Sequence, residues 1–164
     1  MSPAANWQFA VRQGEQTMKT LWSETDRNEL VVRLGRLNPE SKPQWGKMNC
    51  EQMLAHLADG FRMTLGDLTP KPKGGPLRFG PVKKLVIYWL PFPKGVPTAP
   101  ELIARPSEGI NKESDAVKEL LIRIAQSAGR ATWPEHPAFG KLSAQAWGVL
   151  GYRHMDHHLR QFGV

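Results

Sequence analysis

The sequence predicts an all-α protein, a four-helix bundle with a long Pro-rich crossover between helices 2 and 3. Four separate segments repeat apolar residues at helical spacing, each opened by a residue able to cap a helix. Nine of the fourteen prolines fall between Asp67 and Gly109, where no long regular element survives them. At 164 residues, 40% hydrophobic and 23% charged, the chain makes one domain with a sizeable core, free of repeats and low-complexity tracts.

Residues 1–20 are weakly patterned and read as a mobile N-terminal extension, leaving residues 21–164 as the domain. Helix 1 follows. Ser23 with Asp26 resembles a capping box, Leu30, Val31, Leu34 and Leu37 recur at helical spacing, and Asn38-Pro39 stops the run. Helix 2 opens on Asn49 with Gln52 three residues on. Its arc is Met53, Leu54, Leu57, Phe61, Thr64 and Leu65, with Gly66 to end it, while Glu51, Gln52, Asp59 and Arg62 face the other way. Inside the crossover, residues 82–90 after Pro81 read as a short helix with proline at its first position, ahead of a strand as the alternative. Helix 3 is capped by Asn111, carries Val117, Leu120, Leu121, Ile124 and Ala128 on one stripe, and closes at Gly129. Ser143 caps helix 4, which runs to about Phe162 with Trp147, Leu150, His154, His158 and Phe162 on one side.

Charge is the unusual bulk feature. Twenty-two Lys and Arg against fifteen Asp and Glu leave +7, which invites a nucleic-acid reading. The excess is local: Lys71, Lys73, Arg78, Lys83, Lys84 and Lys94 lie between Asp67 and Glu101 with no acidic residue among them. The rest is nearly neutral. This pattern suits a loop that attracts a small anionic ligand better than it suits a phosphate backbone. The single cysteine, Cys50, excludes an internal disulfide and a cysteine-based zinc cluster. It reads as a buried structural residue, despite a helix terminus that would lower its thiol pKa. Residues 1–21 show no secretory apolar core, and the longest apolar run, residues 85–92, is too short to span a bilayer. Cytoplasm is expected. The six tryptophans either anchor a core or line a pocket. No phosphate loop, dinucleotide fingerprint or serine-hydrolase elbow is present.

Three of the five histidines crowd into residues 154–158. His154 and His158, four apart, lie about 40° from one another around a helix, so both rings reach one ion. His157 lies about 60° from His154 on the opposite side, and periodicity alone leaves it open as a ligand. His56, on another amphipathic helix at the edge of its apolar arc, is the best third ligand, ahead of His136 in its loop. Lone histidines are more often structural, but burying two imidazoles without partners is costly.

The residues then show a likeness. Trp45-Gly46-Lys47-Met48 leading into Gln52-Met53-Leu54-Ala55-His56, the run from Pro91 to Pro100, His136-Pro137-Ala138-Phe139-Gly140, and the ending from Tyr152 to Gly163 form one set. With that set, the sequence from about Met18 to Val164 resembles the DinB-like (DinB/YfiT) superfamily of bacterial four-helix-bundle proteins, and more closely a branch catalogued as a domain of unknown function. The resemblance implies a divalent metal ion, zinc or nickel, held by His56, His154 and His158. It also implies thiol-dependent transferase or isomerase chemistry for part of the superfamily. The long basic crossover departs from the generic pattern.

The functional expectation is a metal-dependent hydrolase or thiol transferase. Asp59, Asp156 and His157 are the candidate proton handlers or orienters around the metal ligands. The expected partners are a small-molecule substrate, an anionic thiol, and a second copy of the chain in a homodimer, with no membrane. Two alternatives stand beside it: a non-catalytic metal-binding scaffold, and a nucleic-acid-binding module using Phe79, Tyr88, Trp89 and Phe92 as stacking groups.

Overall fold

The computed structural model describes residues 18–94 and 105–164. Residues 1–17, most of the expected extension, and residues 95–104, which include part of the crossover motif, lie outside the described residues. The order is α1 (Glu24–Leu34), α2 (Cys50–Leu65), a 3-10 turn (Pro76–Arg78), α3 (Gly80–Tyr88), α4 (Ile110–Gln126) and α5 (Ala144–Gln161). The expected helices 3 and 4 are therefore α4 and α5, and the short piece expected over residues 82–90 is α3, which begins and ends two residues earlier and includes Pro81. Among the described residues there is no strand, only an isolated antiparallel bridge between His136 and Gly140. No described helix is long and apolar enough to cross a membrane.

The caps explain where these helices begin. The Asn49 side chain accepts from the Gln52 N–H while the Gln52 side chain accepts from the Asn49 N–H, a complete capping box. Gly66 ends α2 in the left-handed conformation at φ 91°. Ser143 accepts from the Ala146 N–H, and Ser23 from the Asp26 N–H. Around Ser23 the box is not reciprocal, because the Asp26 carboxylate instead takes the Thr20 N–H at 2.9 Å.

Among α1, α2, α4 and α5, three boundaries differ from the sequence pattern. Helix α1 stops at Leu34, and Leu37 reaches the core from a turn in which its N–H bonds the Leu34 carbonyl. Helix α4 starts at Ile110 behind Gly109, with no side-chain cap, so Asn111 is helical and exposed. Helix α4 also ends early, at Gln126, where Ser127 Oγ donates to the Ile124 carbonyl. Ala128 is left outside the stripe and exposed.

The helices close a cycle. α2 packs on α4 and α5, and α1 packs on the same two. α3 sits outside this cycle, against α5 and the 3-10 turn. Leu30, Leu54, Leu57, Phe61, Ile124 and Met155 fill the main core. A second cluster forms where Ile87 of α3 meets Trp147, Val149 and Leu150 of α5 with Phe139. The tryptophans divide accordingly: Trp147 is buried, whereas Trp89 is 75% exposed.

The segment before α1 approaches α5 closely. Leu21 N–H bonds the Gly148 carbonyl, and Trp22 Nε1 donates to the Ala144 carbonyl at 2.8 Å. A Cβ on Gly148 would lie 2.2 Å from Trp22 Nε1 and 2.4 Å from Thr20 Oγ1. Gly148→Ala would favour an isolated helix by about 0.5–1 kcal/mol. Here it is expected to destabilise by about 1–3 kcal/mol through overpacking, and a urea melt gives the sign. A stabilised variant would show that this contact yields freely.

Candidate metal centre

Helix α2 is buried nearly all round, because α4, α5 and the chain after the crossover cover it. His56 sits midway along it and is 4% exposed. The packing of α5 on α2 brings His154 and His158 to the same place. The three ring centroids stand 4.9, 4.9 and 4.8 Å apart, with interplanar angles of 74° to 86°. His56 Nε2 and His154 Nε2 are 2.9 Å apart, and one ligand atom from each of the three rings lies within 4.8 Å of the others. Ligand nitrogens about 2.0–2.1 Å from a tetrahedral ion stand about 3.3 Å from each other, so small ring movements suffice for all three to share one. The donor set fits a borderline divalent cation: three imidazoles, with no carboxylate among them.

Electrostatics favour the ligand form. Burial, reinforced by His158 and His56, holds the His154 imidazole well below its usual pKa. Burial also pushes His158 down to about 3. Both rings are therefore neutral at pH 7 and keep a lone pair for a cation. The His158 ring bonds through Nδ1 to Gln161 Oε1 at 2.8 Å.

His157, which periodicity leaves open as a ligand, is placed differently. It stands between Trp45 and Phe92, at ring distances of 5.7 and 6.0 Å, and against His158 at 5.3 Å. Burial lowers its pKa, opposed by Asp156. Lys94 lies 4.2 Å over the Trp45 ring, which puts one crossover cation on the rim beside His157. Trp45 contributes nothing by helical periodicity and was legible only as part of the Trp45-Gly46 motif.

Both candidate carboxylates carry cation partners. Asp156 pairs with Arg33 at 2.7 Å and with Arg160 at 2.9 Å. Asp59 is buried, not turned to solvent as the helix wheel implies, because Arg105 covers it. Asp59 is reached by Arg62 at 2.7 Å and by Arg105 at 3.3 Å. Arg105 also grips Glu113 of α4 with both terminal nitrogens, at 2.6 and 2.7 Å. Arg105 and Glu113 escaped the sequence reading: an arginine beside a proline and a glutamate in a first helical turn look solvated. Arg153 was missed as well, and it donates to the carbonyls of Val86, Ile87 and Leu90 at the end of α3.

The remaining candidates are structural. Burial raises the Cys50 thiol to about 11, the reverse of activation by a helix terminus. His136 Nδ1 accepts from the N–H groups of Ala138 and Phe139, and burial holds its pKa near 4. Protonation would remove that acceptor. The folded pKa lies below the unfolded one, so stability from this group is complete above about pH 6.5 and falls between there and pH 4, by about 3 kcal/mol. His136→Asn supplies an oxygen acceptor that does not titrate, and it is expected to flatten the urea-midpoint profile over that window. An unchanged acid limb would assign the pH dependence to other groups.

An all-helical protein with a three-histidine candidate metal centre is thus the class that fold and site define. The family described as "Protein of unknown function (DUF1569)" matches residues 17–163, and the chain belongs to that family. No curated protein and no solved structure matches it.

Proposed function

We propose that this is a cytoplasmic metal-dependent enzyme, a hydrolase or thiol-dependent transferase, built on a DinB-like four-helix bundle with α1, α2, α4 and α5 as its helices. The cycle of contacts among those four helices supports the bundle reading. The observation that carries the functional reading is the convergence of His56, His154 and His158 from two helices onto one point. These three residues hold zinc or nickel. A divalent cation at three imidazoles supplies Lewis acidity and an open position, lowering the pKa of a water or thiol that enters it.

The chain's own residues do the rest. His157, kept neutral by burial beside the triad, accepts the proton that the entering nucleophile gives up. Asp59 and Asp156 act as orienters: through Arg105 and Arg33 they fix α2 and α5 to their neighbours. Trp45 and Phe92 exclude water on either side of His157, and Lys94 on the Trp45 face receives the negative end of a small substrate such as a carboxylate-bearing thiol.

Turnover of a panel of thiols and esters, run with and without a chelator, tests the catalytic claim. Chelator-sensitive turnover is expected. Bound metal without such turnover would make the protein a metal-binding scaffold. Oligonucleotide binding that weakens steeply with salt would revive the nucleic-acid reading.

A further inference from the structure

We propose that Gln161 is the positioning residue of the three-histidine site, holding His158 in the one tautomer and orientation that presents its Nε2 lone pair to the cation. The inference rests on the metal reading above, and it follows from a chain of hydrogen bonds whose directions are forced. Gln161 lies one turn after His158 on α5 and is 3% exposed. Its Nε2 stands 2.6 Å from the Trp45 carbonyl oxygen, 116 positions away in sequence. A carbonyl only accepts, so the amide must present N–H to Trp45 and cannot be flipped. Its Oε1 then faces His158 Nδ1 at 2.8 Å, and an amide oxygen also only accepts. His158 Nδ1 therefore carries the proton, and in a neutral imidazole Nε2 is left bare.

The loop that sets this direction is itself clamped to the end of α5. Gln44 N–H donates to the Gln161 main-chain carbonyl at 2.7 Å, so the loop grips both the backbone and the side chain of Gln161. Gly46, at φ 82°, makes the approach possible: a Cβ there would lie 2.5 Å from Gln161 Nε2. The Trp45-Gly46 loop that supplies an aromatic wall beside His157 is thus also what orients a metal ligand. Partners that fix a ligating histidine through its other ring nitrogen are worth about 10- to 100-fold in metal affinity.

The test measures zinc affinity by competition with a chromophoric chelator and the visible absorption of the cobalt(II)-loaded protein, in the parent and three variants. Gln161→Met fills the same space without an acceptor, and it is expected to bind zinc about 10- to 100-fold more weakly with an altered cobalt band. Gln161→Glu, held as the neutral acid by donating its O–H to the Trp45 carbonyl, keeps an acceptor for His158 Nδ1 and is expected to restore affinity and band shape towards the parent. Gly46→Ala displaces the amide while leaving residue 161 a glutamine, so it should weaken binding too, and it decides the matter if Gln161→Met does not fold. Parent-like affinity in Gln161→Met or Gly46→Ala overturns the proposal. So does an equal loss in Gln161→Met and Gln161→Glu, which marks a merely structural role. A parent protein that binds neither zinc nor cobalt instead overturns the metal reading, and the positioning role with it.

Discussion

Replacing His154 and His158 together by alanine is expected to abolish stoichiometric zinc or nickel binding while leaving an all-helical fold. The two rings converge with His56 at centroid separations of 4.8 to 4.9 Å, and the double substitution removes two of the three candidate ligands. Its effect must exceed the about 10- to 100-fold loss that follows removal of a mere ligand partner. Elemental analysis of protein purified under one protocol, followed by zinc titration calorimetry, reads it directly. Linkage provides a second readout. At free zinc 100-fold above Kd, the parent gains about 2.7 kcal/mol of stability, and the double variant should gain nothing. Equal metal content in the two proteins, or equal stabilisation by zinc, would remove the three-histidine centre from consideration. His157→Ala is the control. It leaves the three converging rings in place, so the metal content should persist while any chelator-sensitive turnover falls.

The second large effect is expected far from the histidines in sequence, in the charge cluster that ties the crossover's end to the helices. Glu113→Ala should cost about 3 kcal/mol, the lower end of the range for breaking a buried ion pair. Glu113 is 2% exposed and takes both terminal nitrogens of Arg105 together with the Glu108 N–H. Removing it strands a guanidinium that retains Asp59 at 3.3 Å and some water contact, which is why the cost falls at the low end. The same bonds hold the Glu113 carboxyl below its usual pKa, with the Arg105 hydrogen bonds as the main cause. Its stabilisation is therefore complete above the ordinary carboxylate range and is lost as pH falls through the depressed folded value. Urea denaturation near neutral pH checks the magnitude. Replacing the pair together, Arg105→Met with Glu113→Leu, should cost less than Glu113→Ala alone, since neither charge is then left unpaired. A loss under about 1 kcal/mol for Glu113→Ala would mean that the pair is solvated in solution.

How far the site could be read in advance depended on the range of the interaction. His154 and His158 are one helical turn apart, so their proximity is written in the chain once α5 is recognised. His56 was legible as a candidate only, because nothing local to α2 says which neighbour its edge will meet. Asp59 shows the failure most plainly. On a helix wheel it belongs with Glu51 and Arg62, opposite the apolar arc, yet Arg105 arrives from 46 positions away and buries it. Gln161 near a C-terminus looks like an ordinary polar residue until the Trp45 carbonyl is placed against it. The two helix ends misjudged in α4 have the same origin: Asn111 and Gly129 are good local signals, but Gly109 and the Ser127 hydroxyl end the helix first.

What the sequence by itself determined are the features set within a turn or two of the chain. These are the capping bonds at Asn49 and Ser143, the left-handed stop at Gly66, the apolar stripes of the long helices, and the pairing of two histidines on one face. Each depends on a hydrogen bond or a periodicity spanning at most a few residues, so composition and order suffice. Only the tertiary structure decided that α5 lies against α2, and with it the approach of His56, the burial of Asp59 and the seat of Gln161 between His158 and the Trp45 carbonyl. Those outcomes depend on which apolar surfaces pair across the fold, a choice made by the whole core and recorded in no single segment.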